Sequence, residues 1–120
     1  MAYVDGFLVP VALKNLKAYQ AMSRKMGKIW REHGALDYRE CRGDDLDIKG
    51  VASFRKAAKA RKGETVVFAY IVYKSRRHRD QVNKKVMADP RVTHPPGQKH
   101  ELPFDFKRMC YGGFEVFVQA

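Results

Sequence analysis

The chain has 120 residues, 45% of them hydrophobic, enough for one domain with one core rather than two. No stretch approaches the roughly 18 apolar residues that a bilayer span needs, and Met1 to Asp5 lacks the basic-then-apolar plan of a signal peptide, so a soluble cytoplasmic protein is expected. The formal net charge of +11 predicts weak, salt-dependent attraction to anions and nucleic acid and says nothing about fold.

Tyr3 to Val9 is β-branched, aromatic or apolar at most positions and reads as a strand that Pro10 ends. From Leu13 the apolar residues recur at threes and fours (Leu16, Tyr19, Met22, Met26, Ile29, Trp30), which predicts an amphipathic helix capped by Gly34. Leu36 to Arg42 is a short, polar strand. Gly43 to Gly63 is polar and basic and reads as a loop with at most one helical turn near Val51 to Phe54. Thr65 to Tyr73 is the most strand-like run of the chain. Ser75 is placed to cap a second helix through about Ala88, with Val82, Val86 and Met87 inward, and Asp89-Pro90 closes it. Val92 to Met109 is a long connection of the kind that acts as a lid or stays disordered, and Tyr111 to Gln119 is the last strand.

The order β-α-β-β-α-β is that of ferredoxin-like α+β folds: a four-stranded antiparallel sheet with two helices on one face. The first and third strands should be central, because they are apolar on both sides. The second, mostly polar, and the fourth, with one apolar face, should be edges. Two helices cover one face only. Leaving the other, with residues such as Phe7 and Tyr70, in water would forfeit several kcal/mol at ~25 cal/mol per Å². A second copy of the sheet is the simplest cover, so a homodimer is expected.

The segments Tyr3-Val4-Asp5-Gly6-Phe7, His33-Gly34-Ala35-Leu36, Glu40-Cys41, Asp44-Asp45, Val66-Val67-Phe68, Arg79-Asp80, Met87-Ala88-Asp89-Pro90-Arg91, Pro103-Phe104-Asp105, Lys107-Arg108-Met109 and Gly112-Gly113-Phe114 resemble, in order and spacing, the YbaA-like family of uncharacterised bacterial proteins. The resemblance implies the dimeric α+β barrel superfamily, in which two such sheets pack face to face. It implies no reaction. The chain departs from the family pattern at Ser53, where an Asp commonly precedes the phenylalanine, and at Thr93 to Leu102, which is longer and richer in Pro and His.

Asp5 is the most informative residue, because a carboxylate midway along a central strand must be paired or hydrogen-bonded. Arg108, Lys107, Arg39 and the Tyr70 hydroxyl are its candidate partners. An ion pair that pins the long loop is the favoured role, a catalytic base the alternative. Pro103 to Met109 sets Phe104, Asp105, Phe106 and Arg108 before the last strand, either as a lid whose Arg108 grips an anion or as a packed loop. A small-molecule site inside the barrel would be lined by Asp5, Phe7, Tyr70 and Glu115 under that loop, with Asp5 and Arg108 as catalytic candidates. An RNA-binding sheet and a dimer without ligand are the competing readings; the third strand lacks the aromatic-glycine motif of RNA-recognition domains. His33, His78, His94 and His100 form no metal-ligand spacing, Cys41 and Cys110 read as reduced thiols, and no cofactor signature occurs.

Overall fold

The computed structural model describes residues 1–93 and 102–120. Strand β1 (Tyr3–Ala12) leads through a 3-10 turn (Leu13–Asn15) into helix α1 (Leu16–Glu32), followed by β2 (Asp37–Arg42). A single helical turn, α2 (Phe54–Ala57), precedes β3 (Glu64–Tyr73) and helix α3 (Arg76–Met87). A further turn, α4 (Pro90–Thr93), a 3-10 turn (Phe106–Arg108) and β4 (Cys110–Glu115) complete the described elements. The sheet has the order β2-β3-β1-β4, with every neighbour antiparallel. This is the ferredoxin-like α+β fold expected, with β1 and β3 central.

The helix boundaries follow from local chemistry. At the end of α1 Gly34 adopts φ +116°, open to a residue without Cβ, and Ala35 N–H donates to the Trp30 carbonyl at 3.0 Å. Ser75 caps α3 by accepting from His78 N–H at 3.1 Å, and Ser53 caps α2 through Arg55 N–H at 3.0 Å. Asp89 accepts from Arg91 N–H at 2.9 Å, and with Pro90 as first helical residue it starts α4, a turn inside what the sequence presents as loop.

Two strand ends differ from expectation, each because of a neighbour. β1 runs past Pro10 to Ala12, since its pairing with β4 stops at Leu8↔Cys110 while that with β3 continues. Beyond Leu8 the strand is an edge, where a residue without N–H is tolerated. β4 ends at Glu115 rather than Gln119 because it pairs there with Tyr3, the first residue of β1, and one last bond joins Val116 N–H to the Ala2 carbonyl at 3.0 Å. Phe117 and Val118, expected to lie in the strand, are exposed.

Alternation along the strands sorts the side chains into two layers. Phe7, Val9 and Val11 of β1, with Val67, Ile71 and Tyr73 of β3, meet α1 and α3 through Tyr19, Ile29, Val82 and Val86. On the opposite face Phe68 is 46% exposed and Phe114 61% exposed, with Val4, Leu8, Tyr70 and Val72 half-buried around them. Among the described elements α2 reaches over that face, at one end, where Phe54 meets the Phe68 ring edge-on at 6.4 Å.

Candidate functional site

Between the helices and the sheet lies a cavity of about 510 Å³, within the roughly 300–1,000 Å³ of small-molecule sites. Its walls are apolar, with Phe7, Val9 and Ile71 from the sheet, Met22, Met26 and Trp30 from α1, Met87 from α3, and Phe104, Phe106 and Met109 from the segment before β4. Polar groups are gathered at two poles. One is built around Asp5, the other around Glu40.

Asp5 is 1% exposed, and Arg79 of α3 donates to its Oδ1 at 2.9 Å. The same Nη1 donates to the Tyr111 hydroxyl at 2.9 Å, and the guanidinium lies 5.0 Å from the centre of the Tyr3 ring. Behind the pair, the Trp30 indole and the Tyr73 hydroxyl both donate to Asn83 Oδ1 at 3.1 Å. Burial pushes the Asp5 carboxyl above its ordinary value, against the pull of Arg79, Tyr111, Asn83 and Tyr73. Burial likewise raises the Tyr73 and Tyr111 hydroxyls, so both stay protonated near neutral pH. Asp5 thus has a partner, but none of Arg108, Lys107, Arg39 or Tyr70. The ion pair ties β1 to α3 rather than to the loop.

The second pole is a carboxylate held by two phenols. Glu40 of β2 accepts from the Tyr19 hydroxyl at 2.5 Å and from the Tyr38 hydroxyl at 2.6 Å. Burial, reinforced by Glu40, raises both hydroxyls far above the usual tyrosine range, so they act as donors. Aromatic rings flank them: Phe104 lies 5.6 Å from Tyr19 and Trp30 lies 6.3 Å from Tyr38.

Gly27 lets Tyr38 reach this position. A Cβ there would stand 2.6 Å from the ring, on a helix whose backbone cannot yield. Gly27→Ala is expected to lower stability by about 1–3 kcal/mol, read from chemical denaturation, through a displaced Tyr38. Unchanged stability would mean that the ring packs elsewhere.

The residues singled out in the sequence separate. Asp5, Phe7 and Phe104 line the cavity together. Tyr70 stands opposite Gly6 and Arg39 on the other face of the sheet, so a single barrel-interior site uniting it with Asp5 and Phe7 is not formed within the chain. Glu115 is exposed at the end of β4. Asp105 accepts from Lys107 N–H at 3.0 Å and shapes its own 3-10 turn. Arg108 donates to both oxygens of Glu64 at 2.7 Å and to the Lys59 carbonyl at 2.9 Å. It is spent on the β3 end of the molecule, and the Glu64 carboxyl is lowered to about 2 chiefly by that bond. The pairing with Glu64 favours the packed-loop role of this segment over an anion grip by Arg108.

His33 Nε2–H donates to Asp89 at 2.8 Å and His78 accepts from Lys74 N–H at 3.0 Å, while His94 and His100 lie outside the described residues. Among the described residues no group of three or more His, Cys, Asp or Glu side chains gathers as a metal site, and both cysteines are free and exposed. No helix among the described residues is long and apolar enough to cross a membrane.

Arg79, Tyr19, Tyr38 and Glu40 were not marked as site residues by sequence reasoning. Arg79 sits in a basic run that reads as a solvated face. Its position three before Val82 and seven before Val86 places it on the buried stripe of α3, and that spacing was the available signal.

The family model described as "Protein of unknown function (DUF1428)" matches residues 2–106. "Uncharacterized protein YbaA" of Escherichia coli strain K12 is 43% identical over 118 residues, 98% of this chain and 98% of its own length. The protein of that name in Shigella flexneri matches to the same extent, 43% over 118 residues and 98% of each chain. Among solved structures, Rv0793 from Mycobacterium tuberculosis superposes with a TM-score of 0.57 at 13% identity, over 100% of this chain and 99% of that one. A de novo designed protein, Foldit4, superposes at 0.50 with 8% identity, over 97% and 99%. At such identities these two speak for the fold alone. The near-complete overlap with YbaA bears out the resemblance carried by the quoted segments, and the chain belongs to the DUF1428 family of proteins of unknown function.

Proposed function

We propose that the chain is a small-molecule-binding protein whose ligand, an apolar body with a hydrogen-bond-donating group, occupies the cavity between helices and sheet. The observation that carries this reading is the cavity itself: about 510 Å³ of mostly apolar wall with oriented oxygen acceptors at its two ends. Burying an apolar ligand there contributes ~25 cal/mol per Å², and the acceptors reward a donor that water would otherwise keep. Asp5, which lines the cavity beside its partner Arg79, is the candidate acceptor for that group at the other pole.

The opposite face has a separate task in this reading. Phe68, Tyr70 and Phe114 close against a second copy, giving a homodimer whose paired sheets leave each cavity to its own chain. The net charge adds weak attraction for nucleic acid as a non-specific partner.

Trp30, the one tryptophan of the chain, lines the cavity and reports on it. Titration with 2-phenylethanol should change its emission saturably. Ala69→Leu, which fills the cavity from the sheet floor, should weaken that binding by about tenfold or more while the chain stays folded. A response that does not saturate, or that is equal in both chains, would remove the cavity from the account.

A further inference from the structure

The two poles of the cavity are not electrically equivalent. Asp5 is neutralised by Arg79 at 2.9 Å. Arg91, which also touches the cavity, is held at 2.8 Å by Asp89 and at 2.7 Å by Glu32. Glu40 has hydrogen-bond donors but, among the described residues, no cation within ion-pair distance. Its bonds come from neutral phenols, which orient the carboxylate without cancelling its charge. On its other side Glu40, with Tyr19 and Tyr38, also lines an open groove of about 840 Å³ that carries Arg24, Lys28, Arg31 and Arg42, none of them within ion-pair distance of it among the described residues.

A carboxylate taken partly out of water is stable when a counter-charge meets it. On its cavity side the lining carries the rings of Tyr19, Tyr38, Trp30 and Phe104 rather than an unpaired lysine or arginine. Tyr19 meets Phe104 at 5.6 Å, and Tyr38 meets Trp30 at 6.3 Å. Aromatic rings around an acid attract an organic cation twice, through the ring quadrupoles and through the carboxylate, and desolvation strengthens both.

We infer that the ligand carries a positively charged nitrogen, an amine or quaternary ammonium, which docks against Glu40 inside the Tyr19–Tyr38–Trp30–Phe104 cage. This inference rests on the binding reading above and adds the ligand's charge to it. The apolar body then extends toward Phe7 and Met26, and Asp5 meets the other end of the molecule. Glu40 is the specificity determinant. Tyr19 and Tyr38 are positioning residues, since they hold its two oxygens.

Three probes with one phenylethyl-sized body separate the charges: phenethylamine, 2-phenylethanol and phenylacetate, each titrated against Trp30 emission. Phenethylamine should bind about tenfold or more tighter than 2-phenylethanol, and phenylacetate weakest. Glu40→Gln should bring the amine and the alcohol to within about twofold of each other. Saturable alcohol binding with no amine preference would overturn the cation site and leave the cavity reading standing. Tighter phenylacetate binding, or an amine preference that survives Glu40→Gln, would overturn it too. Failure of all three probes to saturate would end both readings. The wild-type comparison decides between charges by itself, so the test does not depend on the folding of Glu40→Gln.

Discussion

Replacing Arg79 with Met should destabilise the chain by about 3–5 kcal/mol near neutral pH, the largest effect expected of any single substitution considered. The cost comes less from the lost attraction than from what is left behind. Asp5 is 1% exposed in the middle of a central strand and would keep its charge without a cation. Tyr111 would lose the guanidinium that bonds it, and the Tyr3 ring the cation lying over it.

The same substitution carries a pH signature. Burial already holds the Asp5 carboxyl above its ordinary 3.8, and Arg79 is the strongest opposing influence. Without Arg79 the folded-state value moves further up. Between the unfolded and folded values the folded chain then binds more protons than the unfolded one, so stability falls as pH rises through that window. Chemical denaturation of both chains at about pH 7.5 and about pH 5 should therefore show the gap narrowing on acidification. A gap that stays constant would mean that the penalty is steric and that the Asp5 charge plays no part in it.

Phe68→Glu should break the proposed homodimer. Phe68 stands 46% exposed on the face away from α1 and α3, with Tyr70 at 6.1 Å and Phe54 at 6.4 Å. A glutamate there places an unpaired charge at the centre of a desolvated contact, which should weaken association by about a hundredfold or more. Within one chain the position touches the helix-side core on neither side, so the fold should persist. Sedimentation of wild type at twice the chain mass and of the variant at once that mass is the expected pair of results. A wild-type chain that sediments alone would leave the aromatic face bare and turn attention to stacking of single-stranded RNA on it.

The topology was legible because periods of two and of three to four residues are written directly in Tyr3 to Val9, Thr65 to Tyr73 and Leu13 to His33. Caps were legible for the same local reason, as Ser75 and Gly34 illustrate. Strand ends were not, because Pro10 and Val116 are governed by where a neighbouring strand stops, which no local pattern records. Asp5 announced that it needs a partner, yet identifying Arg79 requires knowing which turn of α3 crosses β1. The cavity was the least legible feature. Its walls depend on Gly27, which admits Tyr38, and on Asn83, which accepts from both Trp30 and Tyr73, and each of these reads as ordinary surface or core when met singly.

Methionine methyl groups offer the most direct test of the division of labour between the two faces. Of the chain's 5 methionines, Met22, Met26, Met87 and Met109 line the cavity and Met1 does not. In a chain labelled with 13C at the methionine methyls, titration with 2-phenylethanol should move the four cavity resonances along one common binding curve while Met1 stays in place. Four still resonances, or curves that differ from one methionine to the next, would contradict a ligand seated between the helices and the sheet.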